Sequence, residues 1–329
     1  MALWTDVADP QELTVVAREA ARDREQRDEF NLAQFLPNEH TLSQSVTLEA
    51  GENGFVEAAE YRAYDAETPI GGRGEGRGRI MFELPPLGQK RRVSEYNQLM
   101  FLGEGGESAI RTAIGKAAVL RGQAVADRME LERGRVLVSG KAAINENGFI
   151  VDSDFGRDED LTVTAGTKWS EASADPVQDI LDWAEAYSDR NGETPAYIVA
   201  STKAIGALAK YNGFLPKDSI RRRASLDEIN ALLESEGLPQ LVKYDRRVRV
   251  NGVAERVIPE DTLLFLPDAT AGLGKTFWGT TLESLDPKYG IQVEDRPGIV
   301  AGAYQDEDPR AVWVKAAAIG MPALADANL

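Results

Sequence analysis

The 329-residue chain has no cysteine and a single histidine, His40. The absence of cysteine excludes disulfides, thiol nucleophiles and cysteine-bound metal sites. A Ser-His-Asp triad or a multi-histidine metal centre would have to use His40, which lies in the polar stretch FLPNEHTLSQS, and the chain has no Gly-x-Ser-x-Gly motif. We therefore interpret His40 as a surface or lightly packed residue without a catalytic or metal-binding role.

Basic residues and long apolar runs are also scarce. Lys and Arg number 37 against 54 Asp and Glu, which gives a formal net charge of −17. Such a surface as a whole repels nucleic acid and anionic lipid, so a contact with a polyanion has to be local. No run approaches the roughly 18 apolar residues of a membrane span, and the N-terminal sequence does not resemble a signal peptide. We expect an intracellular chain with no membrane partner.

The first half of the chain predicts an unusual order of elements. Apolar residues at helical spacing predict an N-terminal helix over 10–30 and a helix of nearly 29 residues over 105–133, ended by Gly134. Strands predicted at 55–64 and 79–84 suggest a long hairpin between these helices, over about 52–92. A hairpin with so little apolar surface is marginal alone and has to lie against something else.

Beyond the long helix, RVLVSGKAAINENGFIVDSDFG predicts a strand, a turn at ENG and a second strand. Helices and strands then alternate. Asp175 predicts one helix start, and Ser225 with Glu228 forms a capping box for another. The region 285–320 is strand-like again, with AVWVKAAAIG as the clearest segment.

The hairpin tip carries the stretch PIGGRGEGRGRI, in which glycine alternates with charged residues. A dinucleotide fingerprint has to follow a strand and open a helix, whereas these glycines lead into a strand. An arginine–glycine segment that binds nucleic acid is typically a disordered tail with spaced aromatic residues, and this one is internal. In an extended chain the glycines share one face, which allows a second backbone to approach closely. The charged residues of the stretch are Arg73, Glu75, Arg77 and Arg79.

The sequence DATAGLGKT resembles the end of a phosphate-binding loop. The full pattern requires glycine at position 269, where Ala269 stands, and the following FWGTTLES favours a strand rather than a helix. We predict a turn between two strands. A nucleotide-binding enzyme that uses Lys275 and Thr276 is the alternative.

The sequence VDSDFGRDED places five acidic residues around Arg157, for a local charge of −4. It resembles a calcium loop, but Val163 occupies the position of the bidentate glutamate. An exposed acidic turn or a docking patch is the better interpretation. Its acidic residues are Asp152, Asp154, Asp158, Glu159 and Asp160.

Several of these segments resemble the major capsid protein E family of lambda-like tailed phages. The resemblance rests on VDSDFGRDEDLTVTAGTKWSEASADPVQDI, RRRASLDEINALL, LLFLPDATAGLGKTFWG and the ending AAAIGMPALADANL. It implies an α+β Hong Kong 97-type capsid fold. The implied parts are an N-terminal arm (1–51), an extended loop (52–95), a peripheral domain with a spine helix (96–170), an axial domain (171–284) and peripheral return strands with the C-terminus (285–329).

The resemblance implies a structural protein without enzymatic activity, with no catalytic residue, no metal and no cofactor. Such a protein assembles with itself into hexamers and pentamers of an icosahedral shell around double-stranded DNA, which it contacts weakly and without sequence specificity. It is assembled in the bacterial cytoplasm and ends in the virion. The implied partners are a separate scaffolding protein, a portal and a decoration protein. A non-viral, encapsulin-like shell of the same fold is a further alternative.

The resemblance makes the glycine-rich stretch the tip of a loop that reaches over a neighbouring subunit. Residues 71–79 carry three arginines against one glutamate, a charge of +2 in a chain of −17. We hypothesise that this tip docks on the acidic segment 152–160 of the next subunit. Because exposed ion pairs are weak, the contact would set the register of the subunits more than their stability.

Overall fold

The structure is a computed structural model that describes residues 2–5, 7–49, 79–171, 173–214, 223–308 and 310–329. Within these ranges, no helix is long and apolar enough to cross a membrane. The helices are α1 (Pro10–Glu25), α2 (Glu95–Gly105), α3 (Glu107–Ser139), α4 (Pro176–Asn191), α5 (Thr202–Leu208), α6 (Leu226–Ser235) and α7 (Leu282–Leu285). The strands are β1 (Ala2–Leu3), β2 (Asn38–His40), β3 (Ser45–Glu49), β4 (Arg79–Glu83), β5 (Pro86–Val93), β6 (Lys141–Glu146), β7 (Phe149–Asp154), β8 (Tyr197–Ala200), β9 (Leu241–Lys243), β10 (Arg247–Val250), β11 (Val253–Arg256), β12 (Leu263–Leu266), β13 (Gly274–Gly279), β14 (Val300–Glu307) and β15 (Arg310–Leu324).

Helix α3 is the spine of the molecule, with 33 residues and a length of about 50 Å at 1.5 Å per residue. The predicted end at Gly134 is wrong, because the helix continues through RVLVS, which the sequence had assigned to a strand. Gly134 serves close packing instead: a Cβ there would lie 2.3 Å from the carbonyl oxygen of Val257. The helix ends at Gly140, which adopts a left-handed φ of 68° and donates its N–H to the Val136 carbonyl.

A six-stranded sheet lies against the spine helix. Its order is β1-β14-β15-β13-β2, and β5 pairs with β15 as well. The predicted strand AVWVKAAAIG is confirmed as part of β15. Its residues Val312, Val314, Ala316 and Ala318 are buried in one cluster with apolar side chains of α3 and α1, because alternate residues of a strand face the same side.

Helix α1 packs along α3. The predicted range 10–30 is too long, since the helix ends at Glu25 and the chain turns so that the Phe30 ring contacts the rings of Phe35 and Tyr197. Gly122 lets the two helices touch: a Cβ on Gly122 would lie 2.1 Å from the Ala17 carbonyl oxygen. The N-terminal arm is therefore closely packed against the spine.

The base of the extended hairpin differs from the sequence prediction. The described outer strand is β3, which pairs antiparallel with β4, so the hairpin starts near residue 45 rather than 52. After Leu84 and Pro85 the chain leaves the hairpin, and β5 pairs with β15 instead. The physical reason is burial, since Phe82 and Leu84 are only 4% and 5% exposed and hold β4 in the core. The strand predicted at 55–64 lies outside the described residues.

The second half contains a three-stranded sheet of order β12-β8-β9, with apolar residues of α4, α5 and α6 packed around it. Both predicted helix starts are confirmed. The Asp175 carboxylate accepts the Gln178 N–H, and Ser225 and Glu228 form a reciprocal capping box. Strand β13, within the range predicted for the axial domain, pairs with β15 in the large sheet. The domain limits themselves stay predictions.

Candidate assembly surfaces

The predicted docking residues of the loop tip fall largely outside the described part of the chain. Arg73, Glu75 and Arg77 lie in the undescribed range 50–78. Arg79 is the first residue of β4 and stands opposite Glu49 of β3 in the antiparallel register. The pairing of the tip with an acidic patch therefore stays a prediction.

The acidic segment begins on a β-hairpin. Strands β6 and β7 are joined at Asn147 and Gly148, whose φ angles of 50° and 83° make the turn that ENG predicts. Along β7 the exposure alternates, so that Ile150, Asp152 and Asp154 share the exposed face. Two of the predicted acidic residues thus lie on one face of one strand.

Two of the five carboxylates are bound within the subunit. Asp154 accepts a hydrogen bond from Lys141 Nζ at 2.6 Å and another from the Gly156 N–H at 2.9 Å, and both lower the pKa of Asp154. Asp158 accepts from Arg190 Nε at 2.6 Å. The remaining residues of the set are exposed and form no ion pair among the described residues. They are Asp152, Glu159 and Asp160.

Phe155 and Arg157 fix the acidic segment to the body of the molecule. The Phe155 ring is buried and packs edge-on against Phe82. The Arg157 guanidinium donates to the carbonyl oxygens of Ala327, at 2.9 Å, and Val138, at 3.1 Å, and burial lowers its pKa. The calcium interpretation gains no support, because the described residues contain no metal-binding group of His, Asp and Glu.

A buried polar network that the sequence reasoning missed holds the N-terminal arm on the spine. The Arg133 side chain of α3 has no exposed surface and forms an ion pair with Glu25 at the end of α1. The same guanidinium donates to Glu130 at 3.1 Å, to Asn38 of β2 at 2.7 Å and to Thr276 of β13 at 2.9 Å. One arginine thus connects the arm, the spine and two strands of the large sheet.

Glu130 is the buried carboxylate of this network, and both of its oxygens accept hydrogen bonds. It accepts the Leu32 N–H at 3.0 Å and the Tyr244 hydroxyl at 2.6 Å. Burial, followed by the charge of Glu130, raises the pKa of Tyr244. The only sequence signal was the charged run ELERGR inside a helix that otherwise has a broad apolar surface.

The Gly-Lys-Thr sequence forms part of the same network and of a sheet. Thr276 is completely buried, and its hydroxyl donates to the Leu36 carbonyl at 2.8 Å. Lys275 forms an ion pair with Glu39. Residues 274–279 form β13, which pairs with β15 and β2, so these residues do not open a helix as a phosphate loop requires. The predicted turn between two strands is confirmed.

The comparison with known protein families decides between the remaining interpretations. The sequence profile described as phage major capsid protein E matches residues 12–329, nearly the whole chain. The chain belongs to this family. It is a major capsid protein, as the sequence motifs indicated, and no curated protein matches it.

Solved structures support the fold of this capsid protein. It is similar to a putative capsid protein of a prophage of Escherichia coli CFT073, at 15% identity and a TM-score of 0.60, over 94% of this chain and 96% of the other. It is also similar to a phage-related protein of Bordetella bronchiseptica RB50, at 16% identity and a TM-score of 0.52, over 95% and 94% of the two chains. The predicted Hong Kong 97-type α+β fold is confirmed.

Membership of a capsid family makes this a structural protein of the virion that forms an icosahedral shell. The candidate site is therefore the set of surfaces by which one capsid subunit meets the next. Sequence reasoning predicted the acidic segment and the loop tip as such surfaces, and both stay predictions. It missed the buried residues that hold the arm and the acidic segment in place.

Proposed function

We propose that this capsid protein assembles into hexamers and pentamers that close into the icosahedral head of a tailed phage and enclose its double-stranded DNA. The observation that carries the proposal is the family match over 12–329. The packing of the arm and sheet against a 33-residue spine helix supports it, because a closely packed subunit suits repeated contacts between identical copies. Assembly takes place in the host cytoplasm with a separate scaffold and a portal, and a decoration protein is a further candidate partner.

Negative-stain microscopy of the purified protein tests assembly. We expect closed or tubular particles, and a compact monomer that persists at high concentration would contradict the proposal. The DNA contact is expected to be weak and non-specific, since a chain of net charge −17 repels the phosphate backbone. Retention of purified subunits on immobilised duplex DNA at physiological salt would contradict that part.

The proposed role of the extended loop is to dock its tip on the acidic segment of the adjacent subunit. The support is charge: +2 over residues 71–79, against exposed carboxylates that have no ion partner among the described residues, such as Glu159 and Asp160. Replacing Arg73 and Arg77 by glutamate should impair assembly while leaving the subunit folded. Lys210→Glu with Lys243→Glu is the matched control, because both lysines are exposed and form no described ion pair. Normal shells from the arginine variant would reject this role.

A further inference from the structure

Strand β5 presents an open edge lined with positive charge. It pairs with β15 on one side, and no other described strand pairs with it. Six of its eight residues are exposed, and its Lys90, Arg91 and Arg92 form no ion pair among the described residues. Lys90 Nζ lies 4.6 Å from the centre of the Trp313 ring, which holds the side chain beside the sheet. Three neighbouring unneutralised cations are unusual on a chain of net charge −17.

Strand β7 presents an open edge lined with negative charge. The hairpin of β6 and β7 forms its own two-stranded sheet, and β6 is the strand that packs against α3. The far edge of β7 therefore meets no strand of the described ranges. Its exposed face carries Ile150, Asp152 and Asp154 at every second residue.

The two edges match in spacing and charge. Successive side chains of a strand point to opposite faces, so Gly88, Lys90 and Arg92 of β5 share one face. In an antiparallel pair of strands, residues directly opposite each other interact, and opposite charges are favoured. In this register Arg92 would stand opposite Asp152, which forms no ion pair among the described residues, and Lys90 would stand opposite Asp154, which also binds Lys141 of β6.

The two edges do not pair with each other within one subunit, since among the described strands β5 pairs only with β15 and β7 only with β6. The Asp154 end of β7 also lies away from β5: Arg91 of β5 lies beside Arg121 of α3, whereas Phe155, just after β7, donates its N–H to the Gly140 carbonyl at the end of the same helix. The stretch of helix between Arg121 and Ser139 is about 27 Å long at 1.5 Å per residue. Paired strands lie only about 4.8 Å apart.

We propose that the open edge of β5 in one subunit pairs antiparallel with the open edge of β7 in a second copy, with Arg92 facing Asp152 and Lys90 facing Asp154. This inference rests on the proposed assembly function. The contact joins two different surfaces, so it repeats around a ring when the rotation closes, as hexamers and pentamers require. It also joins opposite charges in a contact between copies that otherwise repel each other.

Charged side chains on a free strand edge can also serve only to prevent unwanted pairing. If the charges of β5 served only to prevent pairing, β5 would have no specific neighbour in the shell. Double-stranded DNA is the alternative occupant of a basic strip. A free strand edge presents both N–H and C=O groups, which a second strand can satisfy, whereas a phosphate backbone has no N–H group to donate to the carbonyls.

Disulfide trapping tests the pairing directly, because the natural chain has no cysteine. Lys90→Cys is combined in turn with Ile150→Cys, Asp152→Cys and Asp154→Cys, and the assembled particles are oxidised. A disulfide needs Cα atoms within about 7 Å, so at least one pair should give a ladder of covalent oligomers on a denaturing gel. Lys210→Cys with Asp152→Cys is the control and should give only monomer. Intact shells in which none of the three pairs is crosslinked would overturn the inference.

Charge reversal supplies a second, independent readout. We expect Lys90→Glu with Arg92→Glu to abolish shells, Asp152→Lys with Asp154→Lys to do the same, and the combination of all four to restore them. The control pair Lys210→Glu and Lys243→Glu should assemble normally. Assembly of the first variant at the wild-type level would overturn the inference. Absence of shells from the wild-type protein would instead overturn the proposed function, and the pairing with it.

Discussion

Arg133 is the residue on which the docking of the N-terminal arm depends most. Its guanidinium is completely buried and neutralises Glu130, which is also completely buried, while it binds Glu25 of the arm. A buried ion pair adds little net stability, but removal of one partner leaves a buried charge without compensation. The network is therefore more sensitive to the loss of one member than an exposed ion pair is.

We predict that Arg133→Ala lowers the free energy of unfolding by about 3–5 kcal/mol. Urea unfolding of the unassembled subunit measures it. The control is Arg27→Ala, because Arg27 pairs with Asp28 at the surface with 49% of its side chain exposed, and its loss should cost at most about 1 kcal/mol. Similar effects of the two substitutions would contradict the role assigned to the buried network.

The stability of the subunit should depend on pH through the protonation of one histidine, His40. Partial burial, and then the charge of nearby Arg18, lower its pKa below the ordinary 6.5. The folded state therefore resists protonation of His40, so the contribution of His40 to stability is constant above pH 6.5 and falls as the pH drops from 6.5 towards the lowered pKa. Since His40 is the only histidine in the chain, its imidazole resonance in the unassembled subunit reports the value directly. His40→Gln should remove this part of the pH dependence, and a measured pKa above 6.5 would contradict the prediction.

At the scale of elements, two glycines of the spine helix have different roles. A Cβ at Gly134 would meet the Val257 carbonyl oxygen, whereas nothing lies within 4 Å of a Cβ at Gly115. Gly134→Ala should destabilise the subunit by roughly 1–3 kcal/mol through overpacking. Gly115→Ala should stabilise it by up to about 1 kcal/mol, because alanine favours the helix. Thermal unfolding of both variants distinguishes the signs, and two changes of the same sign would contradict this account.

The elements that the sequence predicted best are those that local chemistry determines. The helix starts at Asp175 and Ser225 follow from side chains that cap amides two or three residues away. Gly134 was misread because a glycine that ends a helix and a glycine that admits a neighbouring backbone are the same residue in a sequence. Only the fold shows which segment approaches it, and here that segment contains Val257.

Non-local contacts explain the other differences. Strand β3 is short and mostly polar, so its sequence does not indicate a strand. Its partner β4 lies far along the chain, and no turn residue near Ser45 marks the start of the hairpin. The partners of Arg133 are equally remote, with Asn38 separated from it by 95 residues and Thr276 by 143. The acidic segment was predicted as a surface because five acids in nine residues are visible locally. The sequence does not show which of these carboxylates are paired within the subunit, because their partners Lys141 and Arg190 lie on other elements.

At the scale of the whole molecule, the net charge of −17 opposes assembly, whereas the contacts proposed for the basic surfaces favour it. These two forces differ in range. Repulsion between whole subunits acts across the distance over which salt screens charges, which is about 30 Å at 0.01 M ionic strength, 10 Å at 0.1 M and 3 Å at 1 M. An ion pair such as the one proposed between Arg92 and Asp152 acts over only a few ångströms.

The yield of shells should therefore pass through a maximum as salt is raised. Near 0.01 M the long-range repulsion keeps subunits apart, near 0.1 M it is screened while contact pairs persist, and near 1 M the pairs are weakened too. Light scattering at fixed protein concentration across this range, with sodium chloride as the salt, measures the yield. The variant with Lys90→Glu and Arg92→Glu should lack the maximum. A wild-type yield that keeps rising to 1 M would mean that apolar burial, which salt does not weaken, drives assembly in place of the charged surfaces.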